Sequence, residues 1–280
     1  MDILLIHTGG TIGMTPTENG LAPMTGLVET AVVTRLDPSD RLAVEVFAPL
    51  LDSADVGPSH WNLILDTIDR YPDHRVIVTH GTDTMAYTGT ALAQALAGTE
   101  RTVILTGSMI PLGMDGDAET NLDLALTAIK DVQGVHLAFA GALLPAACLA
   151  KTDTHKADAF ASVASLELHA PKRRRFDDRA LAVLTLTPGL KAKTLRAMLS
   201  DLDGAVLRLF GSGTAASDPE LLGVLQEAVA KGLRLRAVSQ CLTGGLAPGT
   251  YAAGAGLWSL GIENGGAETP EAALVHLWLN

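Results

Sequence analysis

Four short segments place hydroxyls, carboxylates and glycines directly after runs of apolar residues. They are Thr8-Gly9-Gly10-Thr11-Ile12-Gly13, Leu51-Asp52-Ser53-Ala54-Asp55, His80-Gly81-Thr82-Asp83-Thr84 and Thr106-Gly107-Ser108. Glycine lets the backbone approach a ligand closely and leaves a neighbouring hydroxyl pointing at it. Side chains of these types can bind a polar ligand and move its protons, so the segments predict a binding or catalytic site.

The elements that must position these residues alternate between strands and helices. Most of the apolar runs are continuous rather than alternating, which is typical of parallel strands covered on both faces. The predicted strands lie at 2–7, 44–47, 75–79, 102–106, 137–144, 181–186, 205–210 and 233–238. The predicted helices lie at 58–70, 87–96, 118–130, 190–199, 219–231 and 270–278.

This alternation indicates an α/β fold, with a larger N-terminal domain built on a mainly parallel sheet flanked by helices and a smaller α/β C-terminal domain. Ligands of open parallel sheets bind beyond the carboxyl ends of the strands, so we expect the four segments to meet at one edge. A purely structural interpretation is also open for one of them, because Thr82 or Asp83 could cap the helix that follows.

Domain boundaries are predicted from a change in composition. The only basic run, 169–175, stands between two apolar patterns, and we interpret it as a solvated connection. The predicted N-terminal domain therefore covers 1–168, the linker 169–180 and the C-terminal domain 181–280.

Charge and cysteine content exclude several classes of function. The 31 acidic residues outnumber the 20 basic ones, giving a net charge of −11, which argues against nucleic-acid binding. Two cysteines suit a reducing compartment and cannot build a disulfide framework. No leader is recognisable and no apolar run is long enough for a membrane span, so we expect a soluble cytoplasmic protein.

The segments together resemble the paired signature of the bacterial-type L-asparaginases. Residues 8–13 and 80–84 match that signature, and further agreement lies at 85–88, 106–108, 110–112, 151, 158–160, 239–241 and 269–274. The resemblance covers most of the chain and is closest to the cytoplasmic (type I) branch. It implies conversion of L-asparagine and water to L-aspartate and ammonia, in asparagine catabolism, by a homodimer or homotetramer without metal or organic cofactor.

The resemblance also implies roles for single residues. Thr11 would be the nucleophile that forms an acyl-enzyme, while Thr82, Asp83 and Lys151 would form a second catalytic cluster that relays its proton.

The remaining residues that match the family would bind the substrate. Ser53 would bind its carboxylate, Asp83 its ammonium group and Ser108 its side-chain amide, with Gly10 and Asp52 also lining the site.

Two positions depart from the family pattern. Leu21 stands where the family carries a mobile tyrosine that is hydrogen-bonded to the nucleophile, and Tyr71, Tyr87 and Tyr251 lie in other contexts. Either another group, such as Thr15 or Thr17, completes the first cluster, or activity is reduced. Thr214 stands where the family often has asparagine near a neighbouring subunit.

We expect the loop of residues 14–24 to act as a lid over the site.

Other functions remain open at the level of sequence. Leu21 favours a degenerate amidase that binds asparagine as a sensor. Residues 211–216 satisfy a dinucleotide fingerprint, which would suit a nicotinamide-dependent oxidoreductase, but a lone match is weak and no acidic residue ends the next strand. An amidotransferase subunit that shares the fold is a third alternative; it normally has an extra N-terminal region before the first strand, whereas the first strand predicted here starts at Asp2. An effector pocket near Cys241 is permitted by the type I resemblance.

Overall fold

The computed structural model describes residues 1–250 and 254–280, and the chain divides into two units, Met1–Phe176 and Asp177–Asn280. The division falls inside the predicted connection at 169–180. The predicted α/β architecture, with a larger N-terminal and a smaller C-terminal part, is confirmed.

The first unit contains ten strands and four helices, with three short 3-10 helices at Thr11–Gly13, Ser53–Asp55 and Ala146–Cys148. In chain order its elements are β1 (Asp2–Gly9), β2 (Met14–Thr17), β3 (Gly20–Pro23), α1 (Leu27–Val33), β4 (Arg41–Leu51), α2 (Pro58–Arg70), β5 (Arg75–Thr79), α3 (Met85–Ala95), β6 (Thr102–Thr106), α4 (Ala118–Ala128), β7 (Gly134–Phe139), β8 (Ala142–Pro145), β9 (Leu149–Lys151) and β10 (Phe160–Ser162).

The main sheet of this unit has six strands in the order β4-β1-β5-β6-β7-β8. The pairs from β4 to β7 are parallel, and only β7 and β8 run antiparallel. The single strand predicted at 137–144 is therefore wrong. The chain reverses at Ala140 and Gly141, whose φ angles of 48° and 75° make a tight turn and split the apolar run into a hairpin.

The core of the first unit explains why its strands read as continuous apolar runs. Residues 3–6 of β1 are at most 1% exposed, and the central residues of β5 and β6 are fully buried. Both faces of these strands are covered, so no polar alternation is needed. Each buried aliphatic side chain stabilises the fold by about 1.5–3 kcal/mol.

The second unit is a smaller parallel sheet with helices. Its described elements are β11 (Leu181–Thr185), α5 (Ala192–Leu199), β12 (Gly204–Leu209), α6 (Pro219–Ala230), β13 (Arg234–Ser239), α7 (Ala255–Trp258), β14 (Glu263–Asn264) and α8 (Pro270–Leu279). The four strands pair in parallel in chain order. Asp218 caps α6 by accepting a hydrogen bond from the Glu220 N–H at 2.9 Å, as an Asp-Pro-Glu helix start predicts.

The basic run belongs partly to the first unit. Arg175 Nε lies 2.8 Å from an Asp66 carboxylate oxygen on α2, and the Phe176 N–H donates to Asn62 Oδ1 at 2.8 Å. The Phe176 ring packs edge-on against Trp61 with centroids 5.0 Å apart. Residues 169–175 are exposed or half-buried, and at their end acidic residues of α2 pair with Arg175 while the ring of Phe176 anchors the chain. Over the described ranges, we find no helix with both the length and the apolar character to cross a membrane.

Candidate active site

Adjacent parallel strands bring the four polar segments to one edge of the main sheet. The register pairs His7 of β1 with Thr79 of β5, and Thr79 with Thr106 of β6. The segments that follow these strands therefore emerge side by side. At the end of β4, Leu51 pairs with Gly9, so the segment 52–55 joins the same edge. The predicted convergence of the four segments is thus present.

Glycine is required where the first and third of these segments touch. Gly10 has a φ of 91°, and a Cβ built on it would lie 2.4 Å from the Gly81 nitrogen. A Cβ on Gly81 would lie 2.7 Å from Ser53 Oγ. The backbones at Gly10 and Gly81 and the side chain of Ser53 thus meet without room for a methyl group. Thr11, the next residue after Gly10, begins the first 3-10 helix and is half-buried.

A hydrogen-bonded cluster joins Lys151 to the third segment. Lys151 Nζ lies 2.9 Å from Thr82 Oγ1 and 2.6 Å from Asp83 Oδ1. The Lys151 side chain is 17% exposed, whereas that of Asp83 is 70% exposed. The amine is therefore enclosed, while its carboxylate partner faces solvent and can also meet a cationic group of a ligand.

A small sheet at some distance in sequence delivers this lysine. Lys151 ends β9 and pairs antiparallel with Phe160 of β10. The Phe160 ring packs edge-on against Phe139 of β7, with centroids 5.0 Å apart. This anchoring to the main sheet fixes the reach of the lysine side chain.

Ser53 is 4% exposed and is hydrogen-bonded to the segment 80–84. Its Oγ accepts the Asp83 N–H at 3.3 Å, and its carbonyl accepts the Thr84 hydroxyl at 2.6 Å. The capping interpretation of Thr82 and Asp83 is wrong: α3 begins at Met85, its N-cap is Thr84, and no side chain caps it. The Thr84 hydroxyl donates to Ser53 instead, and Thr82 and Asp83 are held by Lys151.

Asp52 and Ser108 differ in their surroundings. Asp52 is exposed, and its Oδ1 accepts the Ala54 N–H at 2.9 Å, which caps the 3-10 helix Ser53–Asp55. Ser108 is 1% exposed, and its Oγ has no hydrogen-bond partner among the described residues. A buried hydroxyl without a partner costs free energy unless a ligand satisfies it. The binding roles of both residues stay predictions.

His80 belongs to the site region although the sequence assigned it no role. Its Nδ1 donates to the Gly81 carbonyl at 2.7 Å, and its Nε2, 2.9 Å from Thr88 Oγ1, accepts that hydroxyl. Thr88 Oγ1 in turn accepts the Trp61 Nε1–H at 3.0 Å. Complete burial lowers the pKa of His80 from 6.5 to about 4, against a smaller opposing effect of the Gly81 carbonyl. The neutral ring thus holds the peptide group that precedes Thr82.

Residues 14–24, predicted as a lid, form a hairpin of β2 and β3 rather than an irregular loop. Leu21 is 47% exposed and lies opposite Pro16. Because side chains alternate across a strand, Thr15 and Thr17 point to the other face of the hairpin. The Thr17 hydroxyl donates to the Gly20 carbonyl at 2.7 Å within the turn. The hairpin and the helix α1 after it were not predicted, because short polar segments carry little periodic signal.

Among the described residues, neither Tyr71 nor Tyr87 supplies the hydroxyl that is missing at Leu21. The Tyr71 hydroxyl donates to Glu45 at 2.9 Å, and Tyr87 is part of α3. Tyr251 lies outside the described residues.

In the second unit, the glycines of 211–214 make a tight turn after β12. The Thr214 N–H donates to the Phe210 carbonyl at 3.0 Å, and a Cβ on Gly213 would lie 2.9 Å from the Trp258 ring. Packing therefore explains Gly213 without a dinucleotide. Cys241 is exposed, and its N–H donates to Ser239 Oγ at 3.0 Å. Within the described residues, no three His, Cys, Asp or Glu side chains are grouped to hold a metal ion.

Comparison with known proteins gives matches over almost the whole chain. The family model of the asparaginase N-terminal domain matches residues 2–177, and that of the glutaminase/asparaginase C-terminal domain matches residues 181–280. L-asparaginase 1 of Escherichia coli (strain K12) is 32% identical over an alignment of 305 residues, gaps included, and the alignment covers 98% of this chain and 90% of that protein.

Two solved structures are similar throughout. L-asparaginase I from Vibrio cholerae O1 biovar eltor is 31% identical with a TM-score of 0.86, over 99% of this chain and 92% of its own. The thermostable L-asparaginase from Thermococcus kodakarensis is 28% identical with a TM-score of 0.88, over 100% and 92%.

Proposed function

Because the chain belongs to the asparaginase family, we propose that it hydrolyses L-asparagine to L-aspartate and ammonia through a threonine nucleophile and an acyl-enzyme. The observation that carries this proposal is the enclosed amine of Lys151, 2.9 Å from Thr82 Oγ1 and 2.6 Å from Asp83 Oδ1. An amine that is hydrogen-bonded to both a hydroxyl and a carboxylate is an arrangement that can move a proton during amide hydrolysis.

In the proposed reaction, Thr11 Oγ attacks the side-chain amide carbon of the substrate. Its proton is accepted by the hydrogen-bonded cluster of Thr82, Lys151 and Asp83. The C–N bond breaks as the proton is returned to the leaving nitrogen, so ammonia departs and an ester to Thr11 remains. Water then hydrolyses the ester and releases L-aspartate. The close approach of Gly10 to Gly81 supports this proposal, because it sets the loops of the two threonines side by side.

The same residues can account for recognition of an amino acid. The exposed carboxylate of Asp83 would bind the substrate ammonium group, and Ser53 its carboxylate, with Gly10 and Asp52 at the rim. The Ser108 hydroxyl, which no described residue satisfies, would meet the side-chain amide. The type I resemblance extends the proposal to a cytoplasmic homodimer or homotetramer.

A second candidate function is an asparagine sensor that binds without turnover. Leu21 favours it, because this exposed residue supplies no hydroxyl to the first cluster. The presence of an intact Thr82–Lys151–Asp83 cluster favours the enzyme, since a binding protein has no need of a proton relay.

Ammonia release from L-asparagine, D-asparagine and L-glutamine tests the proposal. We expect turnover of L-asparagine by the purified chain and its loss in both Thr11→Ala and Thr82→Val. Lys151→Gln should reduce kcat by about 10²–10⁴, the contribution of a positioned acid–base group.

Lys156→Gln is the matched control, because Lys156 is an exposed lysine paired with Asp153 at 3.6 Å outside the cluster. Its activity should equal that of the parent chain, and thermal unfolding should show that every variant is folded. Binding of L-asparagine without any ammonia release would favour the sensor, and near-normal activity of Thr11→Ala would refute its role as nucleophile.

A further inference from the structure

Ser108 is held by a pair of polar side chains at the start of α4 that have no assigned role. Asn121 is fully buried, and its Nδ2 donates to the Gly107 carbonyl at 3.0 Å. Asp117 accepts the Met109 N–H at 2.9 Å and the Ile110 N–H at 3.0 Å. The two peptide groups that flank Ser108 are therefore both fixed by side chains from α4.

The pair is itself cross-linked and anchored to a third segment. Asn121 Nδ2 also donates to Asp117 Oδ2 at 3.0 Å, and Asn121 Oδ1 accepts the Ala140 N–H at 2.8 Å. Every hydrogen-bonding group of the Asn121 side chain is thus turned toward the loops that follow β6 and β7, which rigidifies them.

Asp117 does not perform the usual task of an aspartate at its position. It is the N-cap of α4, yet its side chain makes no capping hydrogen bond to that helix. An N-cap aspartate normally accepts the N–H of the second or third helical residue. Here the carboxylate instead accepts hydrogen bonds from the N–H groups of Met109 and Ile110.

Close packing prevents the loop from relaxing on its other side. A Cβ on Gly107 would lie 2.3 Å from the His80 carbonyl, and the His80 N–H donates to the Thr106 carbonyl at 3.0 Å. Ser108 is therefore placed between the Asp117–Asn121 pair and the segment that carries Thr82, with its buried Oγ unsatisfied by the described residues.

We propose that Asp117 and Asn121 are positioning residues that fix Ser108 and thereby set the preference for asparagine over the longer glutamine side chain. This inference rests on the proposed function. A hydroxyl held at one point satisfies an amide that arrives at that point and leaves a displaced amide unpaired. Glutamine carries one more methylene, which moves its amide away from a fixed partner. A loosened loop would let Ser108 follow the longer substrate.

Asp117→Asn is the decisive variant, because it has nearly the same shape and keeps one acceptor oxygen. Its NH₂ group cannot accept an N–H, so at least one hydrogen bond from the Ser108 loop is lost. We expect kcat/KM for L-asparagine to fall about tenfold, and that for L-glutamine to fall less. The ratio of the two should therefore drop at least fivefold, whereas a purely structural role would lower both equally.

Glu119→Gln is the matched control. Glu119 lies in the same helical turn and accepts the Gly113 N–H of the same connection at 2.7 Å, five residues beyond Ser108. Its substrate ratio should stay within twofold of the parent value. Asn121→Asp, which keeps the acceptor for Ala140 but loses the donor to Gly107, should lower the ratio as Asp117→Asn does. This second variant tests the pair independently if the first one proves unstable.

A double-mutant cycle with Ser108→Ala shows whether the effect passes through Ser108. In the Ser108→Ala background, Asp117→Asn should change the substrate ratio less than twofold, because the positioned group is already gone. An unchanged effect of Asp117→Asn in that background, or an unaltered ratio in Ser108→Ala itself, would overturn the inference.

Calorimetric binding of L-aspartate gives a readout without turnover, and we expect the affinity for L-aspartate to weaken about tenfold in Asp117→Asn. Failure of the parent chain to release ammonia would instead count against the proposed function.

Discussion

The two halves of the candidate site are built in different ways. The Thr82 half comprises Thr82, Asp83 and Lys151. Ser53 accepts a hydrogen bond from its Asp83 N–H, and the buried His80 ring donates one to the Gly81 carbonyl that precedes Thr82. The Thr11 half comprises Thr11 and the hairpin of β2 and β3. Its hairpin tip is exposed, and the described side-chain hydrogen bonds of that tip stay within its own turn.

This difference follows from what each half has to do. A proton relay works only when its groups are held within a few tenths of an ångström, which requires packed neighbours and satisfied hydrogen bonds. A segment that admits a substrate and then covers it needs few tertiary contacts. The Thr82 half is packed and hydrogen-bonded, as a proton relay requires, whereas the hairpin tip has few tertiary contacts, as a covering segment requires. The two halves touch at Gly10.

Gly10→Ala should break the contact between the halves and have the largest effect. The new Cβ would lie 2.4 Å from the Gly81 nitrogen, at a φ of 91° that alanine rarely adopts. We expect loss of at least 99% of the ammonia-releasing activity and destabilisation by about 3 kcal/mol from overpacking and backbone strain. Steady-state kinetics and urea unfolding measure the two effects.

Gly26→Ala is the matched control for Gly10→Ala. Gly26 also has a positive φ, of 83°, but a Cβ there meets nothing within 4 Å. It should cost only about 1 kcal/mol of backbone strain and leave kcat intact. Equal effects of the two substitutions would show that φ alone, and not the contact with Gly81, makes Gly10 necessary.

His80 tests the rigidity of the Thr82 half through pH. Burial lowers its folded-state pKa from 6.5 to about 4, so between these values the unfolded chain binds a proton that the folded chain does not. The contribution of His80 to the free energy of unfolding should therefore fall as pH decreases from 6.5 to 4, by about 1.4 kcal/mol per pH unit and about 3 kcal/mol over the whole range. Urea unfolding at pH 7, 5.5 and 4.5 measures this decrease.

His80→Gln identifies the source of that decrease, because glutamine does not titrate. On acidification the variant should lose about 3 kcal/mol less stability than the parent chain, and His155→Gln, which replaces an exposed histidine, is the matched control. Burial also lowers the pKa of His7 and His136, and their contributions cancel in the comparison. Parallel profiles for parent and His80→Gln would contradict the assignment.

Leu21→Tyr sharpens the description of the Thr11 half and should have the smallest effect. If Leu21 only leaves a gap in the first cluster, the added hydroxyl should raise kcat/KM for L-asparagine by about two- to tenfold, within the range for one hydrogen bond. Leu21→Phe adds the ring without the hydroxyl and should stay near the parent value. A fall in both variants would show that the site has been rebuilt around leucine.

Much of the fold was predictable from local pattern, because buried parallel strands and capped helices have strong sequence signals. The helix at 58–70 and the strands at 75–79 and 102–106 match the structure residue for residue. The hairpin of β2 and β3, the helix α1 and the reversal at Ala140 were missed. Those elements are short, and their formation depends on turn geometry and neighbouring packing rather than on periodicity.

The sequence by itself determined the fold class, the two-part division and the set of polar segments at strand ends, since each of these follows from residue order and hydrophobic pattern. Only the tertiary structure decided that Lys151 reaches Thr82, that His80 fixes the Gly81 peptide and that Asp117 and Asn121 hold Ser108. The physical reason is that a hydrogen bond depends on ångström-scale distance between residues far apart in the chain. Distance of that kind is set by the packing of whole elements and is not written in any local pattern.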